Sequence, residues 1–336
     1  MSMIAADDLE FHHDADSDYR WAETYFIPIS VPEANLFAFV YVCTRPVLGV
    51  MTNCIRVTGA VSETEWEVLY DDNQEHLPCP ERFSLIDAPN GLRIEAVKPP
   101  REYRIDYSGY DGTEIHVEWK GIMDPWDIHD RRLNPLAGAT KEEQYSASSM
   151  GSGYKGHFDM HGRVTGEITV RGKTYQVDSI DRMNHSWGPR PTLEIPSMNA
   201  LWGSFGERFG FRLHCHLDLD KPTGEDQRLA HGYVLEDGEV LAVTDLRMTT
   251  TRVGIVPVTM DLEITVADGR SWAIHGQPVN GAPWRSYLTT VTWLGLYRWF
   301  LGDEVGHGVA QEVRSFREET RRRGRSWSDK PVYITT

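Results

Sequence analysis

Short β-rich segments, separated by turn residues at intervals of about 8–12 residues, are the feature that most constrains this chain. The segment Glu114 to Trp119 shows the pattern, because Ile115 and Val117 alternate with polar residues as they do in a half-buried strand. Dipeptides such as Asp237-Gly238 are typical of β-turns. Since the strands do not alternate with helical segments, the pattern favours a β-sandwich or barrel and argues against Rossmann and TIM folds.

The chain is long enough for two domains, because its 336 residues exceed the ~100–200 residues of a typical domain. A polar segment rich in Pro, Gly and Ser, Met123 to Ser152, separates two strand-dense regions. We therefore predict an all-β protein of two β-barrel-like halves, with domains over residues 1–140 and 141–336. Val309 to Arg323 has apolar residues at helical spacing before Gly324, which predicts a C-terminal helix.

Charge and motifs exclude several classes of function. The 34 Lys and Arg residues against 50 Asp and Glu residues give a net charge of −16, which disfavours nucleic acid and anionic membranes as partners. The sequence lacks the Gly-rich dinucleotide fingerprint, the phosphate-binding loop, the serine-hydrolase elbow and the zincin helix. We therefore expect no redox cofactor and no resident metal ion.

The sequence also predicts where the protein resides. Its first residues lack the basic and apolar regions of a secretory signal, and no stretch approaches the ~18 apolar residues of a membrane-spanning helix. The scattered Cys43, Cys54, Cys79 and Cys215 predict neither a disulfide framework nor a zinc ribbon. A cytoplasmic protein without integral membrane contact is expected.

The segment Asp178 to Arg190, DSIDRMNHSWGPR, is the strongest candidate for a functional site. We predict a turn-rich segment that follows a strand and forms the wall of a ligand site. His185 is the candidate acid/base, with Asp181 or Asp178 to orient its ring, and Arg190 would anchor an anionic or polar group. The ligand-binding candidates of the segment are Asn184, Ser186 and Trp187. The alternative is a buried polar network that fixes a corner of the barrel.

Other polar clusters are secondary candidates. His214 and His216 alternate on one strand and could line a barrel interior. Trp126 and His129 lie in the long polar segment, where a lid over a ligand site would be expected.

His157 and His161 share a strand face with Asp159, a spacing that suits a metal ion. The sequence favours the other interpretation of this pair, a satisfied surface or loop position.

A family resemblance rests on these same residues. The G-x-V-x-G strand from Gly162, the turn at Arg171-Gly172 and the N-H-S-W-G-P-R run resemble the hydroxyneurosporene synthase (carotenoid 1,2-hydratase)-like superfamily, and a W-x-E-T run at Trp21 agrees. These are lipocalin-related proteins with two barrel-like domains, so the resemblance implies two lipocalin-like β-barrel halves. It carries over His185, Ser186, Trp187, Gly188 and Arg190 as site residues. Asn184 departs from the family, which has an acidic residue before the histidine.

Two classes of function follow. The first is a cofactor-independent lyase (a hydratase or dehydratase, or a C–C or C–O lyase) or an isomerase or cyclase, using acid/base chemistry on a hydrophobic aromatic or terpenoid molecule. The second is a non-enzymatic lipocalin-like carrier of such a ligand, which needs no His–carboxylate pair at hydrogen-bond distance. A metal-dependent enzyme using His157/His161 or His214/His216 is a weaker third. The sequence favours the enzyme and leaves a homodimer open.

Overall fold

The computed structural model describes residues 4–12, 18–190 and 195–324. Across these residues the chain forms two antiparallel sheets, a short helix α1 (Lys141–Ala147) in the polar segment and a short helix α2 (Phe316–Arg323) at the end. The predicted all-β fold of two barrel-like halves with a C-terminal helix is therefore confirmed. No helix in the described ranges is long and apolar enough to cross a membrane.

The first sheet is a curled half-barrel with the strand order β4-β3-β2-β1-β11-β10-β8-β7-β6-β5, and β9 pairs with β10. Its apolar core lies on one side of this sheet and contains Tyr25, Phe158 and Met183. The strands of the first sheet are β1 (Trp21–Val31), β2 (Leu36–Arg45), β3 (Val50–Thr58), β4 (Tyr70–Pro78), β5 (Leu85–Asp87), β6 (Leu92–Lys98), β7 (Glu102–Ser108), β8 (Glu114–Gly121), β9 (Trp126–Asp127), β10 (Gly156–Val170) and β11 (Lys173–Pro189).

The second sheet closes into a barrel of eight strands, because β17 pairs with β19 at the end of the order β17-β16-β15-β14-β13-β12-β20-β19. An apolar core with Phe211, Leu213 and Trp299 fills it. The strands of the second sheet are β12 (Met198–Phe205), β13 (Phe209–Leu217), β14 (Gln227–Glu236), β15 (Glu239–Val253), β16 (Val256–Val266), β17 (Ser271–Pro278), β18 (Ala282–Trp284), β19 (Thr290–Leu301) and β20 (Glu304–Ser315).

The halves are joined through a third apolar cluster that belongs to both sheets. Phe26 and Phe39 from the first sheet pack with Trp202 and Trp284 from the second, with ring centroids 4.9 Å apart for Phe39 and Trp284. Burial of this much aromatic surface fixes how the two halves meet.

The long hairpin of β10 and β11 is the element that positions the site. A two-residue turn joins the strands, and both of its residues, Arg171 and Gly172, have positive φ, as a turn matched to the twist of a hairpin requires. The strands stay paired from Val170 opposite Lys173 to Gly156 opposite Trp187. The segment predicted to be turn-rich, Asp178 to Arg190, therefore lies in strand as far as Pro189, which corrects that prediction.

The predicted C-terminal helix is shorter in the structure than in the prediction. Residues 304–315 form β20 and only Phe316–Arg323 are helical, because Val309 and Val313 pair with β12 and β19 and are buried there. Strand pairing overrides the helical spacing in this segment.

The domains predicted over residues 1–140 and 141–336 stay a prediction, and the division between the two sheets is a separate observation. The pairing partners change from the first to the second sheet between Pro189 and Met198, because β10 and β11 follow the polar segment but pair with β8 and β1.

Candidate functional site

A pocket lies between the two sheets, where β11 faces β12 and β13. Arg182, Asn184 and Ser186 alternate along β11 and line this pocket, together with Arg212 and His214 from β13. Since successive side chains of a strand point to opposite faces, His185 and Trp187 lie on the other face of β11. The motif segment thus contributes to two separate sites, one on each face of the strand.

His157 on β10 lines the pocket and forms a histidine–carboxylate pair with Asp159, which lies behind the lining. Both side chains are buried, and His157 Nε2 lies 3.0 Å from Asp159 Oδ2. Arg212 Nη2 lies farther from the same ring nitrogen, at 3.3 Å, so we place the proton on Nε2, donating to the carboxylate. The other nitrogen, Nδ1, is buried without a hydrogen-bond partner among the described residues and offers a lone pair.

Two buried guanidinium groups flank this pair. Arg212 Nη2 lies 2.7 Å from Asp159 Oδ2, and Arg182 Nη1 lies 3.2 Å from Asp159 Oδ1. Arg182 also stacks on the Trp202 ring, with its guanidinium carbon 4.4 Å from the ring centroid. One carboxylate therefore faces two cations in a site that excludes water, which leaves an excess of positive charge.

A third buried guanidinium, that of Arg190, adds to this excess. It donates to the Gly153 carbonyl and, at 2.6 Å, to Ser186 Oγ, and it stacks on Tyr154. No carboxylate within ion-pair distance accompanies it in the described part of the chain. A pocket of this charge favours an anionic group, or a group that becomes negative during a reaction.

Burial and the nearby cations set the protonation of the pocket. Burial lowers the pKa of His157 to about 4, although Asp159 raises it, so the ring is neutral near pH 7. Burial opposes ionisation of Asp159, but Arg182 and Arg212 hold the pKa of its carboxyl well below the ordinary value. At neutral pH the pair is therefore a neutral imidazole hydrogen-bonded to a carboxylate.

A chain of polar contacts continues from the pocket into the second barrel. Ser149 Oγ lies 2.8 Å from His214 Nδ1, and His231 Nε2 lies 3.3 Å from the same nitrogen. Burial, followed by the charge of Arg212, holds the pKa values of His214 and His231 well below their ordinary range. Both rings are therefore neutral hydrogen-bonding groups, with His214 in the pocket lining and His231 behind it.

Much of the remaining wall of the pocket is aromatic. Five aromatic side chains line it, and the Tyr41 hydroxyl donates to that of Tyr287 at 3.0 Å; the five are Phe26, Tyr41, Tyr154, Trp284 and Tyr287. The free space measures about 70 Å³, room for a small polar group rather than for a whole drug-sized molecule. Side chains of this wall must move if a larger apolar body is to enter.

The predicted pairing of His185 with a nearby aspartate is absent. Asp181 accepts hydrogen bonds from the amide and hydroxyl of Ser30 and from Ser179, while Asp178 forms a surface ion pair with Arg163. The ring of His185 instead donates from Nδ1 to the Thr24 carbonyl at 3.1 Å. The expectation was wrong because the segment is extended, so that residues 178, 181 and 185 are spread along the strand rather than gathered in a turn.

The other predicted ligand residues are divided among several places. Arg190, Asn184, Ser186 and His214 line the pocket, whereas the His216 ring is half-buried near the Ala147 carbonyl.

The two candidates from the polar segment lie outside the pocket lining. Trp126 stacks on His231 behind it. His129 donates to the Tyr154 carbonyl, and its ring lines a separate surface pocket that it shares with Trp187.

Three residues of the site were missed or misplaced by the sequence analysis. His157 is not a surface or loop residue but is fully buried in β10. Arg182 and Arg212 were not singled out at all. The signal for Arg212 was present, because FGFRLHCHL places a lone arginine among apolar residues of a strand. A charge in such a run requires a buried partner, here Asp159.

Comparisons with known proteins agree with this architecture. Residues 6–315 match a family model described as a domain of unknown function, DUF7064. No protein with a curated description matches the chain. The solved structure of CghA superposes with a TM-score of 0.51 at 11% sequence identity, over 88% of this chain and 89% of that one. This likeness shows a shared two-barrel fold.

Two further structures are similar at lower scores. Kievitone hydratase from Nectria haematococca gives a TM-score of 0.47 at 12% identity, over 89% of both chains. A protein proposed to be AttH, from Nitrosomonas europaea, gives 0.49 at 11% identity, over 88% of this chain and 92% of that one. The resemblance to hydroxyneurosporene synthases stays a prediction beyond the level of the fold.

Proposed function

Since the chain belongs to the DUF7064 family, which is defined by a domain of unknown function, its activity has to be inferred from its site, and we propose that it is an acid/base enzyme of the lyase or isomerase type. Its substrate would be a small molecule with an apolar aromatic or terpenoid body. The reaction would be carried by side chains of the pocket between the two sheets.

The observation that carries the proposal is the His157–Asp159 pair beside Arg182 and Arg212. A carboxylate that accepts from one ring nitrogen fixes the tautomer and stabilises the imidazolium that forms when the other nitrogen takes a proton. The two guanidinium groups are suited to stabilise negative charge that develops on a substrate oxygen. A base next to fixed cations suits proton removal next to a carbonyl, because the cations stabilise the enolate that forms.

The proposed first step is proton abstraction from a carbon α to a carbonyl group. His157 Nδ1 takes the proton, the C–H electron pair moves toward the carbonyl oxygen, and Arg182 and Arg212 stabilise the resulting enolate. Loss of a β-hydroxyl group as water, with the proton returned from His157, completes a dehydration. The reverse sequence is a hydration, and return of the proton to another carbon is an isomerisation.

The His157–Asp159 hydrogen bond argues against the alternative function, a non-enzymatic carrier. A carrier of an apolar ligand needs an apolar cavity but no histidine–carboxylate pair at hydrogen-bond distance. Burying Arg182 and Arg212 around Asp159 is costly in free energy, and such groups are retained chiefly where they bind or react.

Hydrogen–deuterium exchange at carbon tests the proposal without knowledge of the reaction's direction. The protein in D₂O is mixed with a panel of aromatic and terpenoid ketones, and deuterium uptake at the α-carbon is measured by mass spectrometry. The proposal predicts enzyme-catalysed exchange of at least one ketone, which is lost in His157→Gln and kept in the surface variant His275→Gln. Exchange that is equal in the wild type and His157→Gln contradicts it.

A further inference from the structure

The opposite face of β11 holds a second cluster of polar groups, away from the pocket. The W-A-E-T run of β1 pairs with the N-H-S-W run of β11, with Glu23 opposite Trp187 and Tyr25 opposite His185. The N-terminal segment lies over this face, so that the His12 ring stacks on the Trp187 ring with centroids 3.8 Å apart. We propose that His12, Glu23 and His185 bind a divalent transition-metal ion of the zinc class.

The three ligand atoms converge on one point. His12 Nδ1 lies 3.0 Å from Glu23 Oε2, His185 Nε2 lies 3.9 Å from the same oxygen, and all three atoms lie within 4.8 Å of one another. Ligand atoms held at ~2.0–2.2 Å from a tetrahedral zinc ion are separated by about 3.4 Å, so small side-chain adjustments suffice. Glu23 and His185 are fully buried, and His185 Nε2 has no hydrogen-bond partner among the described residues.

A backbone acceptor holds His185 in the orientation that a metal site needs. The Nδ1–H of His185 donates to the Thr24 carbonyl at 3.1 Å, which leaves Nε2 deprotonated and directed at Glu23. Asp8 Oδ1 lies 3.5 Å from His12 Nε2, on the side of the ring away from Glu23. That distance is an ion-pair contact without a hydrogen bond, so it is His185 that has the arrangement common among histidine ligands, with an acceptor at the nitrogen that does not bind the metal.

Glu23 is oriented in the same manner. Its Oε1 accepts from the His12 amide at 2.7 Å and from Trp21 Nε1 at 3.0 Å. Its other oxygen, Oε2, is the one that faces both imidazoles. The carboxylate is therefore held in place by two donors while one oxygen stays directed at the rings, and Trp21 belongs to the site as a positioning residue.

The donor set points to a zinc-class ion rather than to calcium or magnesium. Two imidazole nitrogens and one carboxylate oxygen suit Zn²⁺, Co²⁺ or Ni²⁺, whereas Ca²⁺ and Mg²⁺ prefer oxygen ligands throughout. A surface pocket lined by His12, Trp21, Lys155 and Trp187 reaches the cluster and gives an entry path and room for a water as fourth ligand.

The role of the ion follows from what the ligands connect. His12 belongs to the N-terminal segment, and Glu23 and His185 belong to adjacent strands, so a bound ion ties this segment to the first sheet. Because the cluster and the pocket lie on opposite faces of β11, the site stabilises the fold and does not take part in the proposed reaction. Proton exchange by the metal-free protein therefore distinguishes failure of one proposal from failure of the other.

Cobalt binding tests the site. The full chain is stripped with a chelator and titrated with Co²⁺, whose four-coordinate complexes absorb strongly in the visible region. The wild type is expected to bind a single Co²⁺ with this absorption and to show a higher melting temperature with Zn²⁺. Both effects should be lost in His12→Gln, a change in a partly exposed segment that leaves the cores intact, and in Glu23→Gln.

His116 provides a matched control, because its ring also lies beside two carboxylates, Asp106 at 2.8 Å and Glu114 at 3.7 Å, but on the surface. His116→Gln should retain the absorption and the stabilisation. Absence of the band in the wild type, its persistence in His12→Gln, or its loss in His116→Gln overturns the proposal. Circular dichroism of each variant verifies that it is folded.

Discussion

His157 and Asp159 point from alternate positions of one strand to the same side of the sheet, and their hydrogen bond of 3.0 Å is completely buried. The pair is local in sequence, but its environment is not. Arg182 comes from the neighbouring strand β11, and Arg212 comes from the second barrel. The site thus exists only where the two halves meet.

Removing the charge of Asp159 should destabilise the protein strongly. In Asp159→Asn, Arg182 and Arg212 lose the only carboxylate that lies within ion-pair distance of them in the described ranges, and both remain buried, which is expected to lower the free energy of unfolding by about 3–5 kcal/mol. Asp178→Asn is the matched control, because it removes a carboxylate from an exposed pair with Arg163 and should cost less than about 1 kcal/mol. Urea unfolding of both variants measures the difference. If both variants lost the same free energy of unfolding, the buried ion pairs of Asp159 would contribute no more to stability than a surface pair.

Acid should destabilise the protein between about pH 6.5 and pH 4. His157 has a pKa of about 4 and His161 a pKa of about 3 in the fold, both below the unfolded value of 6.5, and burial is the largest cause. The unfolded chain therefore binds more protons in this range, so stability falls as the pH falls. His214 and His231 also make the protein less stable as the pH falls, because burial lowers their pKa values as well.

Melting temperatures recorded from pH 7.5 to pH 4.5 measure this effect. We expect a loss on the order of several kcal/mol over the range, since each pKa unit corresponds to about 1.4 kcal/mol. The fall in melting temperature per pH unit should be smaller in His157→Gln. It should stay unchanged in His275→Gln, which alters an exposed ring. A melting temperature that is flat or rises toward acid pH is inconsistent with neutral buried histidines.

Replacing Arg190 by lysine should weaken the end of β11. Its guanidinium bridges the Gly153 carbonyl and Ser186 Oγ, a fork that a single ammonium cannot reproduce. A loss of about 1.5–3 kcal/mol is expected for hydrogen bonds made by a charged group. The surface variant Arg163→Lys should lose less than about 1 kcal/mol. Thermal unfolding of the two variants compares them, and a fully stable Arg190→Lys protein argues against the bridge.

Much of the fold follows from the sequence because strands and turns are encoded locally. Alternation in Glu114 to Trp119 and the turn at Arg171-Gly172 mark elements that the structure contains. The end of β20 was missed, since Val309 and Val313 fit a helical face as well as a paired strand. Their pairing partners in β12 and β19 decide between the two, and these lie far away in the chain.

The site was harder to predict than the fold. The motif at Asn184 and Ser186 led to the correct strand, and alternation placed those two residues in the pocket. The same alternation turns His185 away from it, and a prediction of a turn for this segment does not contain that alternation. Glu23 approaches His185 because β1 pairs with β11, and the N-terminal segment brings His12 to the same place. These strands are neighbours in the sheet but lie far apart along the chain.

The most direct test compares His157→Gln with His185→Gln in the deuterium-exchange assay, with the melting temperature of each variant measured in parallel. If His157 is the base, His157→Gln loses about 10²–10⁴-fold in exchange rate while staying folded. His185→Gln should retain the wild-type rate and lose stability and metal binding instead, because its ring lies on the other face of β11. The opposite outcome, with exchange lost in folded His185→Gln and retained in His157→Gln, would contradict the account.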